Sequence, residues 1–370
     1  MNKKIRIIGA AIVLVLWAVV TAVAWFAPPK AYSESERSEL AQMPEIKWET
    51  IWDGKFMPAF EEFTLDQFPM RDSIRTLKSI FHYYVLNTRD NNGFYLADGV
   101  IGKMEYPMSR PSVSYAAKRL SALYENYVAG TDCKAYLSIV PDKGFYLSEK
   151  NGYLTMDYEA MFAAIREALP ESTYVDITGT LDAGDYYATD THWRQEKLLE
   201  TAAAICNAMG MTAPKAEDFS ETKIERPFYG VYYGQAALPV QPEVLTVLEN
   251  EVLAGCTVKH PTTGKESKVY EKDTESKDLY DVFLSGPQDI LVIENPNAKT
   301  DRELIVFRDS YGSSMVPLLV QDYKTVTLID TRYIAPNLIG DYVNFSDQDV
   351  LFLYSALILN SSRSLLQEMK

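Results

Sequence analysis

A chain of 370 residues with 47% hydrophobic and 12% aromatic side chains can fill a large core, which excludes a disordered protein. Its formal charge of -15 argues against nucleic acid as a partner and against capture of a strongly anionic polymer by bulk attraction. Three cysteines without any CxxC pair exclude a disulfide framework, and their odd number predicts at least one free thiol.

Residues 1–28 open with MNKKIR and continue through an uncharged run over residues 7–27. As a helix that run is about 31 Å long, close to the thickness of bilayer hydrocarbon. The basic residues before it are expected to stay in the cytoplasm, which makes the chain single-pass with its C-terminal part extracytoplasmic. A cleavable signal peptide is the rival reading, because Ala22-Val23-Ala24 resembles a cleavage site; the length of the run, with Trp25 and Phe26 behind it, favours a retained signal anchor. Residues 29–58, beginning PKAYSESERSEL, mix proline with alternating charge and read as a stalk.

From residue 59 to 370 the pattern is that of a folded domain. Ile74, Leu77, Ile80, Phe81 and Tyr84 recur at helical spacing, with His82 expected as a packed ring among them, and a second amphipathic helix is expected over 112–128. Strand and helix signals then alternate: strand 134–140, helix 158–169, strand 173–177, helix 193–209 with Cys206 as a small buried hydrophobe. This rhythm predicts an α/β domain with a parallel sheet. Residues 219–300 break it and read as an inserted β-rich region, where His260 is expected to sit in an exposed loop. Alternation resumes with strands 303–307, 325–330 and 349–354, and a helix from about Tyr311.

Two stretches can carry chemistry. YYATDTHW places Asp190 two residues before His192, and VFRDSYGSS places Ser310 just past a strand, where ligands of open α/β sheets gather. A serine hydroxyl needs a base, and His192 is the available imidazole; Asp190 is suited to hold its Nδ1–H and fix the tautomer. A backbone N–H at such a turn can face an oxyanion. The alternative is that Asp190, Thr191 and Ser310 are helix caps. No histidine has a partner ligand at metal-binding spacing and no EF-hand loop occurs, so neither metal nor cofactor is expected.

FEEFTLDQFPMRD, GFYLADGVIGK, VPDK, YYATDTHW, FYGVYYG and VFRDSYGSSMVPLLVQDYKTVTLIDTRY, in this order, resemble the DHHW family of Gram-positive surface proteins. That family is itself similar to the SGNH-like domain of the alginate O-acetyltransferases AlgJ and AlgX. Two departures stand out: Thr191 occupies the place of the family's first motif histidine, and Arg308 that of the glycine common before Asp-Ser. The resemblance implies an SGNH-hydrolase-like three-layer domain with a central parallel sheet in permuted motif order. It implies a cell-surface O-acetyltransferase using Ser310, His192 and Asp190, with Arg332, Tyr354 and Tyr311 as substrate-binding or oxyanion residues. It also implies a glycan acceptor and a membrane-bound O-acyltransferase that supplies acetyl groups. An O-acetyl esterase of the same chemistry and a non-catalytic glycan-binding or assembly protein remain as alternatives.

Overall fold

The structure, a computed structural model, describes residues 3–33, 35, 36, 38–362 and 365. They divide into two compact units, one within Met1–Asn92 together with Tyr233–Val240, the other within Gly93–Tyr232 and Gln241–Lys370.

In the first unit, Lys3–Phe26 is one continuous helix, and its stretch Lys4–Phe26 is long and apolar enough to cross a membrane. The segment 29–58, read as a stalk, has structure of its own. Tyr32–Ser33 pairs with Ser38–Glu39, and a short helix spans Trp48–Trp52. Helices Phe56–Asp66 and Arg71–Ile80 follow, the latter continuing as a π-turn over Phe81–Val85. Arg71 ties this unit together through Glu36 and Asp66, and Ser79 Oγ donates to the Ala236 carbonyl at 2.7 Å. His82 is a partly packed ring whose carbonyl accepts from Thr88.

The second unit is built on one eight-stranded sheet. Its strands are β1 Lys134–Val140, β2 Thr173–Tyr174, β3 Thr257–His260, β4 Lys265–Ser267, β5 Ile290–Glu294, β6 Glu303–Arg308, β7 Thr325–Ile329 and β8 Asp349–Ser355, in spatial order β4-β3-β5-β7-β6-β8-β1-β2. From β7 to β2 every pairing is parallel; β5, β3 and β4 extend the sheet by antiparallel pairings. The region 219–300 therefore supplies one edge of the central sheet through β3, β4 and β5, together with a separate small hairpin of Ser220–Lys223 with Thr246–Glu249.

Alternation along the strands supplies both faces. Leu351 and Leu353 of β8 join the core beneath helix Leu199–Ala208, while Val350, Phe352 and Tyr354 join the opposite core beneath helices Arg110–Tyr127 and Tyr158–Ala168. Helices on both faces make three layers, and burial on both sides explains the near-continuous apolar runs of β6 and β8. Three expectations need correction. The strand expected over 173–177 is paired only at Thr173–Tyr174. Residues 193–209 are not one helix: a 3-10 turn, Gln195–Lys197, precedes Leu199–Ala208, because the Gln195 amide is buried and bonds to Ser314 O and Tyr270 Oη. His260 is not in an exposed loop but is buried at the end of β3, its Nε2 2.9 Å from Ser267 Oγ.

Candidate active site

The carboxyl ends of β1, β8, β6 and β7 bring Asp142-Lys143, Ser355, Asp309-Ser310 and Asp330 to one end of the sheet. Ser310 lies two residues past β6, before the helical turn Tyr311–Met315. That turn is fixed from below. Asp309 is fully buried, and its carboxylate accepts from Tyr311 N at 3.0 Å and from Ser355 N at 2.8 Å, linking the ends of β6 and β8. The Ser310 side chain makes no capping bond to its helix, which removes the cap reading.

Ser310 Oγ lies 2.8 Å from His192 Nε2 instead. His192 Nδ1 lies 2.6 Å from Asp190 Oδ1, so Nδ1–H donates to the carboxylate and Nε2 is left to accept from the serine hydroxyl. Asp190, His192 and Ser310 thus form one hydrogen-bonded row across 118 residues of sequence. His192 is only 9% exposed, whereas Ser310 reaches the surface.

The loop carrying Asp190 is not a helix start. Tyr186 and Trp193 face each other in an isolated antiparallel bridge, and Tyr187 N donates to the His192 carbonyl, so the segment doubles back on itself. Asp190 does not cap the helix that follows its own loop; it accepts from the backbone N–H of His192 at 2.9 Å and of Val231, the first residue of a distant helical turn, at 2.7 Å. Gly230 permits the second contact, since a Cβ there would fall 2.2 Å from the Thr189 carbonyl and 2.3 Å from Asp190 Cβ. Burial pushes the Asp190 carboxyl up, but the His192 ring and the two backbone donors outweigh it, holding the group ionised well below the usual carboxylate range.

The imidazole is walled in by aromatics. Tyr280 stacks on it, with centroids 3.9 Å apart at 11°, and Tyr311 packs at 5.0 Å. Tyr280 Oη bonds to Ser314 Oγ at 2.7 Å, and the same oxygen accepts from Trp193 Nε1 at 2.9 Å. The bulky residue after His192 therefore ties its loop to the helical turn after Ser310.

The other expected residues have different places. Tyr311 is buried, and its hydroxyl donates to the Thr191 carbonyl at 2.6 Å; its own N–H is taken by Asp309. It braces the two loops against each other and offers no oxyanion donor. Arg332 is held by both oxygens of Asp330, at 2.9 and 2.6 Å. Tyr354 is buried, with its hydroxyl 3.4 Å from Thr331 Oγ1. Among the described residues neither bonds to Ser310 or His192. Arg308 is 1% exposed, lies 3.6 Å from Asp330 and donates to the Asp309 carbonyl and Ser313 Oγ. Its stem lies against Gly312, where a Cβ would sit 2.8 Å away, so the glycine that this turn needs stands four residues later.

Several contributors carried no signal in the sequence as read. Tyr280 lies in the β-rich stretch and reaches the site through the fold alone. Lys143 lies within VPDK, where its role could not be seen. It is buried beneath the Asp190 loop, donating to the Tyr187 carbonyl at 2.8 Å with its ammonium 4.8 Å from the Tyr232 ring centre. Burial pushes the Lys143 ammonium down to about 7, although Asp190, Glu243 and Asp142 pull the other way.

The fold is shared with a DHHW family protein. That structure, from Eubacterium siraeum, is 23% identical with a TM-score of 0.61, over 75% of this chain and 98% of its own. PatB1 from Bacillus cereus, solved with a sulfonyl adduct, is 19% identical with a TM-score of 0.55, over 72% of this chain and 95% of its own. At these identities the likeness establishes the architecture. No family model and no curated protein matches the chain.

Proposed function

We propose that the protein is a membrane-anchored, extracytoplasmic O-acetyltransferase that acts on a cell-surface polysaccharide through a serine-bound acyl intermediate. The observation that supports this reading is the row Asp190–His192–Ser310, with a buried, ionised carboxylate at one end and a surface hydroxyl at the other. Ser310 Oγ attacks the acyl carbonyl while His192 Nε2 takes its proton; Asp190 stabilises the imidazolium that results. The Ser310 N–H, which bonds to no described residue, is the proposed oxyanion donor. Collapse expels the donor's leaving group with the proton from Nε2. A sugar hydroxyl then gives its proton to Nε2 and attacks the acyl-serine, releasing the acetylated sugar and restoring the serine. A membrane-bound O-acyltransferase is the proposed source of acetyl groups, in keeping with the DHHW resemblance.

The test is to incubate the full-length protein in detergent with an aryl acetate, with and without an oligosaccharide. Acetylated sugar marks a transferase, and free acetate alone marks an esterase of the same machinery. PatB1 has been solved with a sulfonyl adduct, which makes a sulfonyl fluoride the natural probe of Ser310. A protein that takes up neither acetyl nor sulfonyl at Ser310 refutes the catalytic reading.

A further inference from the structure

Four of the five tryptophans in the chain, Trp17, Trp25, Trp48 and Trp52, lie in the N-terminal apolar helix or within thirty residues of its end. Two of these belong to the apolar helix. The other two stand out in the short helix Trp48–Trp52, where Trp48 is 74% and Trp52 81% exposed, beside Ile46 at 72%. Tryptophan carries a large apolar body with a single polar N–H, so a fully exposed ring gains little from water. Its preferred place outside a core is the membrane–water interface, where the ring lies among headgroups and the indole N–H stays wet.

The position of this segment within its unit agrees. Helix Phe56–Asp66 packs along the outer part of the apolar helix: Phe60 lies 6.3 Å from Trp25, between Phe56 at 5.8 Å and Phe63 at 6.3 Å. An apolar groove of about 290 Å³ separates the two helices, lined by Trp17, Val20, Ala24 and Trp25 on one side and Phe60 and Phe63 on the other. Trp48–Trp52 packs next to the start of Phe56–Asp66. A bilayer that surrounds the apolar helix therefore also meets these two helices.

We propose that residues 46–60 lie on the outer surface of the membrane as a second, non-covalent attachment, with Trp48 and Trp52 seated at headgroup level. The occupant of the exposed aromatic face is lipid. The attachment is apolar, because the neighbouring cations are already neutralised: Lys47 pairs with Glu45, and Lys55 with Asp53 at 2.8 Å. Zwitterionic lipid therefore suffices, and added salt does not release the segment. The inference rests on the apolar helix being embedded in a membrane and is independent of the chemistry at Ser310.

The test uses the full-length chain, labelled with 5-fluorotryptophan and placed at one chain per phosphatidylcholine nanodisc. Trp48→Phe and Trp52→Phe identify the two fluorine resonances, and Trp193, fully buried in the core, reports that the protein is folded. The expected result is loss of both signals by broadening when a lipid carries a spin label near its headgroup, with retention when a gadolinium chelate is dissolved in the water. Broadening by the chelate but not by the lipid label overturns the proposal. Resistance to both also overturns it, since it means that protein covers the two rings; a second copy is the cover if that resistance appears only at two chains per disc.

Discussion

Ser310 with His192 and Ser267 with His260 make two pairs that look alike at first contact. Both histidines are buried, and their Nε2 atoms lie 2.8 and 2.9 Å from a serine Oγ. The difference lies behind the ring. His192 Nδ1 meets an ionised carboxylate at 2.6 Å, whereas His260 Nδ1 meets the neutral Gln288 Oε1 at 3.3 Å. An amide oxygen can fix a tautomer, but it carries no charge to stabilise an imidazolium. The serines differ as well: Ser310 stands at the carboxyl end of β6 with its own N–H unbonded among the described residues, while Ser267 lies within edge strand β4. A serine beside a histidine is thus not enough by itself, and in the proposed mechanism the charged third group is what sets the Ser310 pair apart.

The largest test of this comparison is removal of each hydroxyl. Ser310→Ala is expected to lower turnover of an aryl acetate by about 10⁵-fold or more while leaving the fold intact, which circular dichroism checks. Asp190→Asn, which turns the first site into the amide arrangement of the second, is expected to cost about 10⁴-fold in kcat. A loss of only a few-fold would mean that the carboxylate is not what separates the two pairs. Tyr280→Ala removes the ring stacked on His192 and is expected to cost about 10²-fold, by letting the imidazole move out of line. Ser267→Ala should leave turnover unchanged and lower unfolding free energy by about 1–2 kcal/mol, because His260 Nε2 loses its buried partner.

The last test is a pH slope. In the unfolded chain Lys143 keeps its proton up to 10.5, but in the folded chain it gives it up near 7. Between those values the unfolded state binds more protons, so the contribution of Lys143 to stability rises as pH rises from about 7 to 10.5. Denaturant unfolding of Lys143→Met across that window should lack this component. A slope identical to that of the parent would show that Lys143 keeps its charge beneath the Asp190 loop.

Legibility of the sequence followed the range of the forces involved. Strand 134–140 was legible to the residue, because seven residues bounded by Pro141 and mostly buried on both sides leave a plain apolar run. Asp190, His192 and Ser310 were legible as candidates from residue type and strand-end position. Arg332, Tyr354 and Tyr311 show how far such position reaches: it located their neighbourhood, while Asp330, Thr331 and Thr191 decided where their polar atoms point. His260 was misplaced because VKHPTTGK reads as a turn, and nothing local reveals that its strand is covered and that Ser267 and Gln288 await the ring.

The sequence by itself determined the apolar N-terminal helix, the α/β rhythm and the short list of candidate side chains, since each depends on residues within one turn or strand of one another. Only the tertiary structure decided that the Val231 N–H reaches the Asp190 carboxylate, that Tyr280 from a distant segment stacks on the imidazole, and that Asp309 bridges two strand ends beneath the serine. Those contacts join segments some 40 to 90 residues apart, and a hydrogen bond or ring stack at that separation exists only once the sheet has brought its strand ends together.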